Sequence, residues 1–262
     1  VDVLPFLKVD SIHFCTFGNS KPFRIRVRNI LNDNYTNFYI KKADASRIYG
    51  LELEEILSPN RINFLLYKDT LIEEHILGIP GDVFIDQHLE NCNPLEKAQI
   101  AKEFVKFNER CMIGLLGDMR SYNYVVIPAH DFDQVVYRIR AIDFDQQCYE
   151  GNLKIYLPQY FKENIKMVEL VQEKLKPNSI EQYKKEVRSA IAKRASTDSR
   201  LEHLIAIMKK DTISKPESVE ELRTALLKLT YNSQFKRCET MGEILEAGLN
   251  FVMRNYRNSH IR

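Results

Sequence analysis

Two acids and an amide carry the chemistry this sequence offers: Asp118, Asn123 and Asp143. The first two stand in Gly117-Asp118-Met119-Arg120-Ser121-Tyr122-Asn123, the third in Ile142-Asp143-Phe144-Asp145. Between them lie two β-prone runs, Tyr124–Ile127, stopped by Pro128, and Val135–Ile142, joined by the polar segment Ala129–Gln134. Such a pair reads as a hairpin. A hairpin brings the chain back to the mouth it left, so the three side chains are expected to converge.

That set suits a hard divalent cation and phosphate. Mg²⁺ takes oxygen ligands, usually one or two carboxylates with phosphate oxygens and water. Asp143 can bridge metal to phosphate, and Asn123 can hold a second metal or brace the loop. Asp118 can accept the proton of an attacking hydroxyl, and Arg120 can face the transferring phosphoryl group.

These residues resemble two motifs of the protein-kinase-like superfamily, which includes protein kinases and the aminoglycoside and choline phosphotransferases. Asp118-x-Arg120-x-x-Asn123 is similar to the kinase catalytic loop, and Asp143-Phe144-Asp145 to the metal-binding Asp-Phe-Gly. Gly117-Asp118, and an Asp-Phe pair with no following glycine, lean towards the small-molecule branch; Arg120 leans towards the protein kinases. Leu116 and Gly117 stand where a kinase carries a histidine, and the hairpin is longer than usual.

The resemblance implies an α+β, two-lobed fold. An antiparallel-sheet lobe with one helix would span 1–77, and a helical lobe carrying the catalytic loop 78–262. It also implies ATP and Mg²⁺ as cofactors, with a hydroxyl of a small molecule or protein as acceptor.

The elements needed to position the site can be read in order. Ser11–Phe17, Phe23–Arg28 and Asn37–Lys42 read as three strands, the second alternating apolar and basic residues. The turn Gly18-Asn19-Ser20-Lys21-Pro22 sits where a kinase has its phosphate loop, but holds one glycine. Asn19, Ser20 and Lys21 are alternative phosphate contacts, and a plain surface turn is the competing reading. In Phe38-Tyr39-Ile40-Lys41 the resemblance makes Lys41 the phosphate-holding lysine, with Lys42 as rival. A helix over Ala45–Leu57, capped by Asp44 or Ser46, would supply a glutamate to orient it: Glu52 first, Glu55 second. Strands at Ile62–Tyr67 and Thr70–Ile76 follow. By the resemblance, Glu74 C=O and Ile76 N–H form the hinge that meets adenine.

Asp82–Glu90 reads as a short helix. A long one from Pro94 carries Leu95, Ile100, Phe104, Phe107, Met112 and Leu115 at helical spacing and feeds the catalytic loop. Tyr156-Leu157-Pro158-Gln159 is a faint counterpart of the motif closing a kinase activation segment, and the short stretch before it predicts a compact acceptor site. Helices over Phe161–Leu175, Ser179–Ala195, Leu201–Lys209, Val219–Leu229 and Thr240–Tyr256 complete the chain, the last interrupted by Gly242.

Composition bounds the rest. A chain of 262 residues with 44% hydrophobic content can bury a sizeable core. A balance of 38 basic and 36 acidic residues gives no excess charge to draw nucleic acid or a membrane surface. Five scattered cysteines with no Cys-x-x-Cys predict neither a disulfide framework nor a zinc site, and with no visible signal peptide a cytoplasmic location is expected. The single loop glycine and missing histidine keep a second reading open: a pseudokinase-type binding module without turnover. Transfer of a nucleotidyl group to a protein is a third.

Overall fold

The computed structural model describes residues 4–16, 20–131 and 134–259. The chain is α+β, a five-stranded antiparallel sheet followed by a mostly helical remainder. Strands β1 (Leu7–Phe14), β2 (Phe23–Asn29), β3 (Asn34–Lys42), β4 (Phe64–Tyr67) and β5 (Thr70–Glu74) lie in the order β1-β2-β3-β5-β4. The alternation in β2 survives: Phe23, Ile25 and Val27 share one face, Arg24, Arg26 and Arg28 the other. Gly18 and Asn19 of the expected phosphate turn lie outside the described residues.

Helix α1 (Ala45–Leu57) begins where the Asp44 carboxylate accepts the Arg47 N–H, at 2.9 Å. From β5 the chain passes to β6 (Ile79–Pro80), which pairs with β7 (Tyr124–Asp131); β7 in turn pairs with β8 (Gln134–Ala141). Pro128 does not stop β7 as the sequence predicts. It faces Tyr137 within the strand, because β6 covers only Val125 and Val126 and leaves the rest of β7 an edge that tolerates a missing N–H. The expected Asp82–Glu90 helix is a run of short turns, α2 (Gly81–Val83), a π turn over Phe84–His88 and a 3-10 turn over Leu89–Asn91.

Helix α3 (Pro94–Gly114) starts from a capping box. Asn93 accepts the Leu95 and Glu96 N–H groups, and the Glu96 carboxylate accepts that of Asn93. The remaining helices are α4 (Ile165–Lys174), α5 (Pro177–Thr197), α6 (Arg200–Met208), α7 (Pro216–Thr230) and α8 (Met241–Ser259). Gly242 opens α8 rather than interrupting it. A Cβ there would lie 2.5 Å from Lys209 N, so the glycine lets α8 start against the end of α6.

Two apolar cores meet at α1. Leu51 packs with Leu71, Phe104, Phe107 and Phe144 in one, and Leu53, Ile56 and Leu57 join α5 to α8 in the other. Gly50 is the close approach: a Cβ there would fall 2.8 Å from Phe144 Cβ. Gly50→Val is therefore expected to cost ~1–3 kcal/mol through overpacking, read as a lower urea midpoint with unchanged m.

Candidate functional site

The loop that carries Asp118 is tied down by its backbone. Leu115 ends α3 in the left-handed conformation (φ 53°), and Leu116 then bridges antiparallel to Gln147. Gly117 N–H donates to Gln146 O at 3.1 Å, and Cys148 N–H to Leu115 O at 2.9 Å. A Cβ on Gly117 would sit 2.9 Å from Ile155 and 3.0 Å from Gln146 O, so glycine permits this pairing. Asp118 itself has φ 57°, a conformation that aspartate adopts more readily than most residues, and its N–H donates to Ile155 O at 3.0 Å. The stretch after Asp145 is compact, with 3-10 turns at Leu153–Tyr156, Pro158–Tyr160 and Lys162–Asn164.

Asn123 is buried and oriented. Its amide donates to Asp118 O at 2.7 Å and reaches Asp118 Oδ2 at 3.4 Å, which leaves its carbonyl oxygen for another ligand. Its own backbone C=O accepts Ile142 N–H at 3.0 Å, locking the loop to the hairpin's return. The three residues expected to converge do so. Asp118, Asn123 and Asp143 line one polar recess with Gly117, Met119, Asp145 and Gln146, about 250 Å³ open to solvent. Arg120 is held beside it by Asp118 Oδ1 and Glu163 Oε1, each at 2.9 Å, with its guanidinium over the Phe161 ring. These partners, the Asp118 bond foremost, raise its pKa.

Lys41 points inward and Lys42 outward. Lys41 Nζ meets Glu73 Oε2 at 2.6 Å with both side chains under a tenth exposed, whereas Lys42 is exposed. Neither Glu52 nor Glu55 is the partner. Glu52 lies near Glu55 and Arg200, and burial followed by Glu55 pushes its carboxyl pKa up; Glu55 pairs with Arg200 at 3.2 Å. The lysine's carboxylate comes instead from the neighbouring strand: Tyr39 faces Glu73 across the ladder, and period two puts Lys41 on the same side.

Where the expected helix glutamate is missing, α1 supplies a cation. Arg47 is 3% exposed and reaches three carboxylates. Its Nη2 meets Asp143 Oδ1 at 2.6 Å, its Nε meets Asp145 Oδ1 at 2.6 Å, and its Nη1 lies 3.3 and 3.4 Å from the Glu73 oxygens. Burial lowers its pKa, but the three anions more than offset that and the net direction is up. At Asp145 burial dominates and raises the pKa, with Asp143 pushing the same way and Arg47 opposing. Asp143 Oδ1 also accepts Asp145 N–H at 3.1 Å; among the described residues no hydrogen bond engages Asp143 Oδ2. Ser46 Oγ donates to Gln147 O at 2.6 Å, so α1 grips the Asp143 segment twice.

Glu74 and Ile76 stand where the chain leaves β5 for β6. Glu74 N–H is spent on Asn63 O at 2.9 Å and His75 N–H on Asn37 O at 2.8 Å, and Ile76 packs part-buried against the core.

Arg47, Glu73 and Asn164 were missed by sequence reasoning. Parity along β3 and β5 could have found Glu73; nothing local marks the other two. Asn164 is fully buried, accepts from Tyr124 OH at 2.9 Å, and donates to Met119 O at 3.0 Å and Pro158 O at 2.8 Å. It thereby pins the loop between Asp118 and Arg120. Asn164→Leu would leave Tyr124 OH and Met119 O without partners, at ~1–3 kcal/mol each before relaxation, while Pro158 O keeps the Phe161 N–H. A loss of at least ~2 kcal/mol in urea unfolding is expected.

No group of three or more His, Cys, Asp or Glu is arranged to hold a metal among the described residues, so a cation here would rely on Asn123, Asp143 and oxygens from its own ligand sphere. No helix among them is long and apolar enough to cross a membrane. No family model matches the sequence, and no curated protein matches it either.

Proposed function

We propose that this chain is an ATP-dependent phosphotransferase of the two-lobed, protein-kinase-like kind, with a sheet lobe over 1–77 and a helical lobe over 78–262. One observation carries the reading. Asp118, Asn123 and Asp143 line one recess, and Arg47 joins that recess to the buried Lys41–Glu73 pair. The donor set is all oxygen and so fits Mg²⁺. Asn123 and Asp143 would hold it, and bound Mg²⁺ would neutralise charge on the phosphates. Lys41, oriented by Glu73, would hold the phosphates. Glu74 C=O and Ile76 N–H would meet the adenine edge. Asp118 would orient and deprotonate the acceptor hydroxyl of a small molecule or protein. Arg120, already paired with Asp118 and Glu163, would position Asp118 rather than face the phosphoryl group.

The second reading, a nucleotide-binding or interaction module without turnover, draws on Arg47. Its guanidinium already supplies Asp143 and Asp145 with the positive charge a metal would bring.

Melting temperature with ATP or ADP, with and without Mg²⁺, tests for binding, since a ligand of the native state raises apparent stability. Label transfer from ATP across sugars, amino alcohols and protein acceptors tests for turnover, with mass spectrometry separating a phosphate from a nucleotidyl adduct. The phosphotransferase reading expects an Mg²⁺-dependent rise and a phosphorylated acceptor. A rise without any transfer leaves the binding module; no rise at all overturns the nucleotide site.

A further inference from the structure

The face of the sheet turned away from Lys41 and Glu73 is apolar and bare. Ladder partners place Phe14, Phe23, Ile40, Ile72 and Leu65 in one row across all five strands. Ile12, Ile25 and Phe38 form the next row, and Val9 and Val27 a third. Val9, Ile12, Phe14 and Leu65 are 55–60% exposed and Phe23 48%, so no described segment lies over them.

We propose that this face is the contact between two copies of the chain, packed sheet on sheet. At roughly 100 Å² of exposed surface for each of the six most open side chains, Tyr67 included, the patch reaches about 600 Å². That is at the top of the range for a monomer's largest apolar patch and near the ~800 Å² per partner of a standard interface. The half-buried Ile25, Val27, Phe38, Ile40 and Ile72 add a smaller share. Apolar sheet faces pack ~10 Å apart.

Charge on the face favours a second copy over other occupants. Among the described residues no cluster of cations sits there to draw an anionic membrane: Arg24, Arg26 and Arg28 all belong to the opposite side. The charges that flank the central row are opposite in sign. Lys42 lies two residues beyond Ile40 at one end, and Glu74, facing Phe38, lies two residues beyond Ile72 at the other. A two-fold axis along the row reverses the strands and brings Lys42 of each copy over Phe38, beside Glu74, of the other. An isologous interface makes that pairing twice.

Sedimentation velocity and light scattering on the full chain from ~1 to ~100 µM test this. A concentration-dependent dimer is expected. Phe23→Glu with Leu65→Lys should abolish it while circular dichroism and the melting transition of the monomer persist, since both side chains are on the surface. Lys42→Glu should weaken the dimer at least tenfold, and adding Glu74→Lys should restore it. A wild-type chain that stays monomeric across that range overturns the proposal. So does a dimer indifferent to Phe23→Glu/Leu65→Lys, or one weakened by Lys42→Glu and not rescued by the reversed pair. Binding to anionic vesicles by a monomeric chain would assign the face to a membrane instead.

Discussion

Asp143→Asn is expected to abolish the proposed Mg²⁺-dependent transfer from ATP, to below ~1% of the parent rate, while leaving the fold intact. The substitution keeps the shape of the side chain and an oxygen for Arg47 and for Asp145 N–H, so the native contacts at Oδ1 survive. What it removes is the carboxylate charge, and a neutral amide is a poor replacement where a hard cation needs a charged oxygen donor. Charge compensation supplies most of phosphoryl-transfer catalysis, and losing one such group costs at least a hundredfold. The check is a transfer assay beside a melt, each across a Mg²⁺ titration. An Asn variant that turns over at the parental rate with the same Mg²⁺ dependence would remove Asp143 from the site. Asp143→Ala would give the same loss of turnover with an added loss of stability.

The second large effect is on stability. Arg47→Met should cost ~3–5 kcal/mol, because it strands Asp143 and Asp145 and leaves Glu73 to Lys41 alone. For a chain of this size that is on the order of ten degrees in melting temperature. Arg47→Lys should recover part of the loss only, since an ammonium lacks the planar fork that reaches Glu73, Asp143 and Asp145 together. Adding Asp145→Asn to Arg47→Met should be less costly than the sum of the two changes, since it removes one stranded charge. Urea unfolding of the four proteins closes the cycle. Additive costs, or an Arg47→Met cost below ~1 kcal/mol, would mean that the observed contacts contribute little.

Much of the element order was legible because it rests on local signals. The Asp44 cap, the Phe23–Arg28 alternation and the Pro94 start each announce themselves over a few residues. The recess was legible for a related reason: a hairpin constrains its two ends, so Asn123 and Asp143 could be placed together without knowing the rest. Pro128 misled because edge position is a property of the sheet, settled by how far β6 extends. Gly242 misled because its use lies in the approach of α6. The charge network resisted most. Which acid serves Lys41 depends on how β3 and β5 align and on the rotation of α1 about its axis, and ranking Glu52 over Glu55 on that helix left the acid on β5 unweighed. A buried arginine at the start of α1 has no sequence signature distinct from a solvated one.

The uneven bond lengths around Arg47 have a mechanical consequence. The guanidinium holds Asp143 and Asp145 tightly from within α1, and Ser46 and Gly50 fasten the same helix to the same segment. Its reach to Glu73 is the slack one, at 3.3 and 3.4 Å. The helix is therefore fastened more firmly to the aspartates than to Glu73 of the strands, and a strain between strands and helix would open the Glu73 contact first. Lys41 sits on the strand side of that contact, so such an opening would carry its ammonium away from Asp143 and Asp145.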